Sequence, residues 1–193
     1  VYKRQLYVCA EANLESHGMG YGAESLAKQP EWVVPHVERN VRHVASRGIH
    51  PSIIMWSMAN EAGDGQNFTT ARSAIKKLDT SRPIILERAI DGPNTDIYGN
   101  MYRRPSELVE YAQSHPSKPY ILVEYAHAMG NSQGCMTDYM DLFRTYPVLQ
   151  GGFIWDFVDQ AQYMEKPDGT TVRGYGGDWN DYDPSDNNFC DNG

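Results

Sequence analysis

Short, nearly unbroken apolar runs alternate along this chain with longer stretches in which apolar residues return every three or four positions. Runs of the first kind are Leu6 to Cys9, Ile53 to Met58, Ile84 to Leu86, Asp96 to Tyr98, Tyr120 to Val123 and Gly152 to Phe157. A strand covered on both faces has no polar side to show, so such runs predict buried strands of a parallel sheet. Between them the period lengthens. Val33, Val37, Val41 and Val44 mark one helical face, with Gly48 placed to end it. Phe68, Ala71, Ile75 and Leu78 mark a second, behind Asn67 as N-cap. Leu108, Tyr111 and Ala112 mark a third, and Met136, Tyr139, Met140 and Phe143 a fourth. Strand and helix in alternation specify an α/β fold.

Two segments echo each other. Ser81-Arg82-Pro83 leads into Ile84-Ile85-Leu86-Glu87, and Ser117-Lys118-Pro119 leads into Tyr120-Ile121-Leu122-Val123-Glu124. Each time a helix stops, proline punctuates, and an apolar strand ends on a glutamate. A barrel and a doubly wound sheet both fit the alternation. Polar and aromatic groups gather at strand ends (Glu11, Asn60-Glu61, Tyr102, Glu124, Trp155-Asp156), and barrel active sites are assembled from such ends. No glycine-rich phosphate loop supports the doubly wound alternative. Six strands are two short of closure, so the chain reads as a truncated (β/α)8 barrel. The sixteen residues from Asp178 are rich in Asp, Asn and Gly and read as a loop, lacking the glycine and glutamate of an EF-hand.

Charge narrows the partners. Seventeen Lys and Arg against 25 Asp and Glu give a net charge of −8, which disfavours nucleic acid and anionic membrane and leaves neutral ligands open. Cys9, Cys135 and Cys190 are odd in number and lack metal spacing, which points to a reducing, cytoplasmic setting. No apolar run approaches the ~20 residues of a membrane span, and no apolar leader core opens the chain.

Glu61 and Glu124 each follow an apolar strand. For one such glutamate a structural ion pair is the plainer reading; two of them on different strands suit glycoside hydrolysis, which needs paired carboxylates across a sugar cleft. Trp56, Tyr102, Tyr125, Trp155 and Phe157 could stack on sugar faces, although core packing is the simpler role for Trp56. Glu15 and His17 lie two residues apart, on one side of an extended chain. From that spacing alone a polar loop outweighs a metal site. His127 is within reach of a substrate hydroxyl or of nearby backbone.

The run Trp56-Ser57-Met58-Ala59-Asn60-Glu61 resembles the acid/base strand of glycoside hydrolase family 2, where Asn-Glu ends the fourth strand of a TIM barrel. Glu124-Tyr125-Ala126-His127-Ala128-Met129-Gly130-Asn131-Ser132 is similar to the nucleophile signature of that family's β-galactosidases. Gly151-Gly152-Phe153-Ile154-Trp155-Asp156-Phe157-Val158-Asp159-Gln160 resembles their eighth strand. The likeness runs over residues 6–193 and covers about strands 3 to 8, with residues 1–5 an unmatched head.

This resemblance implies a retaining β-galactosidase working by double displacement, with Glu61 as general acid/base and Glu124 as nucleophile. It implies Mg2+ ligation by Glu15, His17 and Glu61, reversing the preference for a loop. Tyr102 falls beside the nucleophile, Asn60 near the 2-hydroxyl, and His127 and Trp155 at substrate-contacting positions. Phe189, through its carbonyl, and Asn192 match a Na+ site next to the sugar, where Asn192 also borders the substrate. A β-galactoside as substrate, within a larger multidomain and oligomeric enzyme, is the corresponding expectation. Ala59 in place of a glycine and Ile49 in place of an asparagine depart from the family's pattern. Another family 2 β-glycosidase, a non-catalytic sugar-binding barrel fragment and a metal-dependent hydrolase are the alternatives.

Overall fold

The apolar runs become strands, and every pairing among the first six of them is parallel. A computed structural model describes residues 6–128, 133–156, 161–174 and 178–179. Strands β1 (Val8–Glu11), β2 (Ile53–Ser57) and β3 (Ile84–Ile85) form one sheet in that order. Strands β4 (Tyr98–Met101), β5 (Tyr120–Tyr125) and β6 (Leu149–Ile154) form a second. Helices α1 (Val33–Arg47), α2 (Gln66–Leu78), α3 (Pro105–Gln113) and α4 (Met136–Thr145) lie between strands in the sequence. An antiparallel hairpin of β7 (Gln162–Glu165) and β8 (Thr171–Gly174), which the apolar pattern does not reveal, follows β6.

The barrel is therefore present as two arcs and not as a closed cylinder. No ladder joins β3 to β4 among the described residues. A loop links the arcs instead: Asp96 N–H donates to Ile84 O at 2.8 Å, and its carboxylate accepts from Ile84 N–H at 2.9 Å. This use of Asp96 is why β4 begins at Tyr98 and not at Asp96. The other strand limits also shift, β1 toward Glu11 and β6 toward Leu149, while Phe157 lies outside the described residues.

The echoed prolines have a common job. Pro83 O accepts from Trp56 N–H at 3.0 Å, and Pro119 O accepts from Tyr98 N–H at 2.8 Å. Proline has no N–H to give, yet at the first position of a strand its carbonyl can still open the ladder to the preceding neighbour. The basic residues before them tie down the same end. Arg82 donates to Ile53 O at 2.7 Å and pairs with Asp79 at 2.7 Å, while Asp79 accepts from the Trp56 indole at 2.9 Å. Lys118 donates to Asp91 O and Gly92 O at 2.9 and 2.7 Å.

Each arc buries its helix-facing side. Val44, Trp56, Phe68, Ile75 and Ile84 form the first core; Leu108, Tyr120, Leu122, Tyr125 and Leu149 form the second. The alternate side chains Met55, Ile85, Ile97 and Ile121 make a third cluster drawn from both arcs, which holds them together. Trp56 is 1% exposed, a core residue and not a sugar platform.

Three helical expectations change. The buried side of α1 is His36, Asn40, His43 and Val44, with Val33, Val37 and Val41 only half-covered. His36 meets Phe68 edge-on at 4.9 Å, His43 meets Trp56 at 5.3 Å, and Asn40 donates to Met58 O at 3.2 Å. His36 Nδ1 also lies 2.7 Å from Trp32 O, so His36 and Asn40 each carry a hydrogen-bond partner into the interior. Asn67 lies inside α2, capped by Gly65, and its amide donates to Leu26 O and Gln29 O at 2.8 Å each. Leu78, at the end of the α2 stripe, faces solvent. Gly48 does follow α1, though with an ordinary right-handed φ of −55°.

Gly152 sits opposite Leu122, and a Cβ there would lie 2.7 Å from the Leu122 Cβ and 3.0 Å from its carbonyl oxygen. Its missing side chain sets the closeness of β5 and β6.

Candidate active site

The carboxyl ends of the six strands carry the polar groups, as the sequence predicts. Ser57 at the end of β2 donates to Glu11 at the end of β1 at 2.8 Å. Asn60 forms a bridge with Glu15, its N–H donating to Leu14 O at 3.0 Å, so the segment after β1 runs beside Asn60-Glu61. In the second arc Met101 is in register with Glu124, and a register shift just before it presents Tyr102 to the nucleophile candidate. Tyr102 N–H donates to Glu124 O at 2.8 Å, and the Tyr102 hydroxyl donates to the Glu124 carboxylate. The Tyr102 and His127 rings lie 5.2 Å apart. Trp155 is locked to the same arc: its N–H donates to Tyr125 O at 3.0 Å, and its carbonyl accepts from Ala128 N–H at 2.8 Å. A cis peptide joins Trp155 to Asp156.

Glu11, Asn60, Glu87, Glu124, Trp155 and Asp156 line one cavity of about 400 Å³ that both arcs contribute to. Asn60 on this lining is followed in the chain by Glu61, whose charge acts on Glu124 and Tyr102. The structure thus brings together Asn60, Glu61, Tyr102, Glu124, His127 and Trp155. Phe189 and Asn192 lie outside the described residues.

The backbone at this mouth is unusual. Glu61, Tyr102 and Ala126 take φ of 41°, 53° and 51°, the left-handed region that residues with a Cβ avoid. Such conformations persist where surrounding contacts over-determine them, and they cluster at functional sites.

Electrostatics acts on Glu124 from several sides. Burial raises the Glu124 carboxyl above its usual range, and the negative Glu61, Glu11 and Glu15 act in the same direction; the Tyr102 hydrogen bond opposes them. The Tyr102 hydroxyl is itself pushed far up by burial and by Glu124, so it remains a donor. Burial holds His127 below its ordinary value, favouring the neutral ring.

A third carboxylate joins the group. Glu87, 5% exposed, follows β3 in the short turn Glu87–Ala89 and accepts the Glu61 N–H at 3.1 Å. Burial pushes it up to about 7 against the opposing charge of Arg88. The echo of two strands ending on glutamate carried a signal for Glu87. Arg88, 3.6 Å from Glu61 Oε1, and Tyr21, against which Arg88 lies, had none, because nothing in their local sequence is distinctive.

Ligand atoms of Glu15, His17 and Glu61 all fall within 4.8 Å of one another, with His17 Nδ1 2.8 Å from Glu61 Oε2. Two carboxylates and an imidazole fit a divalent cation, the carboxylate oxygens suiting a hard ion such as Mg2+ that completes its shell with water.

Comparison with known proteins gives the family. The chain is 44% identical to a β-galactosidase of Priestia megaterium and 41% identical to one of Photobacterium profundum, over 97% of its own length in each case. It spans only 19% of either relative. A β-glucuronidase of Ruminococcus gnavus in complex with D-glucuronic acid shares the fold, with a TM-score of 0.55 at 18% identity over 67% of this chain and 30% of that one. The family model for glycosyl hydrolases family 2, TIM barrel domain, matches residues 2–193. The chain belongs to that family, as a stretch of its TIM barrel domain.

Proposed function

We propose that the protein carrying this segment is a retaining β-galactosidase. One observation carries the reading: Asn60-Glu61, just past β2 of one arc, and Glu124, in β5 of the other, converge, with Asn60 and Glu124 lining one cavity and the charge of Glu61 acting on Glu124. The named relatives support galactose as the sugar. In the first step a Glu124 oxygen attacks the anomeric carbon while Glu61 gives its proton to the glycosidic oxygen, and the carbon–oxygen bond breaks. In the second, Glu61 takes a proton from water, the hydroxyl adds to the anomeric carbon, and Glu124 leaves as carboxylate. Tyr102 steadies the charge on Glu124, and Asn60 and Trp155 border the sugar. Glu15, His17 and Glu61 would hold Mg2+, which when bound supplies a fixed positive charge that orients the Glu61 carboxylate.

A 2-fluoro galactoside with an activated leaving group tests the assignment in the full-length protein. Slow turnover of the trapped sugar should leave its mass on the peptide containing Glu124. Folded protein that acquires no label, or carries it elsewhere, overturns the nucleophile assignment.

A further inference from the structure

Both oxygens of Glu61 have a nitrogen neighbour, and the two neighbours are tied to each other. His17 Nδ1 lies 2.8 Å from Oε2, and Arg88 Nη2 lies 3.6 Å from Oε1. Tyr21 connects them: its ring stacks on His17 at 5.8 Å with planes 8° apart, and the Arg88 guanidinium sits 4.0 Å over the same ring. Arg88 Nη2 also donates to the Tyr21 hydroxyl at 3.2 Å.

A second circuit closes through the backbone. Arg88 Nε lies 3.0 Å from Glu87 Oε1, an ion pair set off the hydrogen-bond axis, and the same oxygen accepts the Glu61 N–H at 3.1 Å. Glu61 is therefore fixed at its main chain by Glu87 and faced at its carboxylate by Arg88, while Arg88 faces both acids. A buried carboxylate such as Glu87 is costly without such partners. The guanidinium suits the post because its plane can lie on an aromatic face while its edge addresses two carboxylates, which a lysine ammonium cannot do.

We infer that Arg88, seated on Tyr21 and paired with Glu87, is a positioning residue that aims the Glu61 carboxyl at the leaving-group oxygen. The inference rests on the reading of Glu61 as acid/base. It touches no substrate; it acts through Glu61 alone, so its loss falls on the steps in which Glu61 moves a proton.

The test compares Arg88→Ala, Arg88→Lys and Glu61→Gln in the full-length protein. For a galactoside with a poor leaving group, kcat/KM of Arg88→Ala should fall about tenfold or more, the scale of a displaced catalytic group. For 2,4-dinitrophenyl galactoside, whose leaving group needs no proton, kcat/KM should stay within about twofold. There kcat and KM should fall together, because water activation by Glu61 is slowed, and azide should restore kcat by forming galactosyl azide without a base. Arg88→Lys should recover part of the loss. Equal losses on both substrates, beside a leaving-group-selective loss in Glu61→Gln, overturn the positioning role and leave the acid/base reading standing. An unselective Glu61→Gln overturns both. Should Arg88→Ala fail to fold, Tyr21→Leu removes the seat at a half-buried position and should give the same pattern at smaller amplitude; an unselective loss there counts against the inference.

Discussion

Replacing Tyr102 by phenylalanine deletes one hydroxyl and keeps the ring. That hydroxyl donates to the Glu124 carboxylate, and its influence on Glu124 opposes burial and the neighbouring anions. A hydrogen bond to a charged group contributes about 1.5–3 kcal/mol. At about 1.36 kcal/mol per factor of ten, its loss corresponds to roughly 10- to 150-fold in kcat/KM. Tyr102 is 40% exposed, so water can take over part of the role, and the lower end of the range applies. The sign of the pH effect follows. Glu124 must be ionised to attack, and without the donor its carboxyl rises further, so the acid limb of kcat/KM against pH moves to higher pH. The assay is kcat/KM for an aryl β-galactoside across pH, with the inactivation rate of a 2-fluoro galactoside as a direct reading of the first step. A variant within twofold of the parent, with its acid limb unmoved, refutes the role assigned to Tyr102.

Other expectations concern the scaffold and the cation site. Arg82→Ala breaks a largely buried pair with Asp79 at the end of β2 remote from the site, so stability should drop by about 3–5 kcal/mol in denaturant titration, with unchanged kcat per folded molecule. His36 and His43 are held below the ordinary histidine value by burial, so the fold keeps them neutral. Their contribution is complete above the unfolded value near 6.5 and is lost as pH falls below it; the His36→Gln/His43→Gln double variant should show a flatter stability profile there. Mn2+ binding followed by electron paramagnetic resonance should weaken at least tenfold in His17→Ala, since losing even a residue that supports a ligand costs about 10- to 100-fold, and unaltered affinity would exclude His17 as a ligand.

Much of the strand order was legible because a buried parallel strand leaves a simple mark. Ile53 to Met58 and Tyr120 to Val123 could be read from apolar runs alone, and the proline echo marked where two of the ladders open. The α1 face was misread because His36, Asn40 and His43 look polar, and only their contacts with Phe68, Trp56 and Met58 make them interior residues. Asn67 looked like a cap because short polar residues often are; its amide instead serves two carbonyls some forty residues earlier in the chain. The hairpin β7–β8 was missed because its exposed residues lack a clean alternation. At the site, the glutamates on strand ends were visible, whereas Arg88 and Tyr21 emerge only when residues 67 positions apart meet.

The left-handed backbone at Glu61, Tyr102 and Ala126 has a consequence for how the protein fails. Each such residue sits about 1 kcal/mol or more above its relaxed geometry, held there by the surrounding sheets. Mild denaturant that loosens those sheets lets the three turns unwind first. Turnover should then vanish at a lower denaturant concentration than the circular dichroism signal.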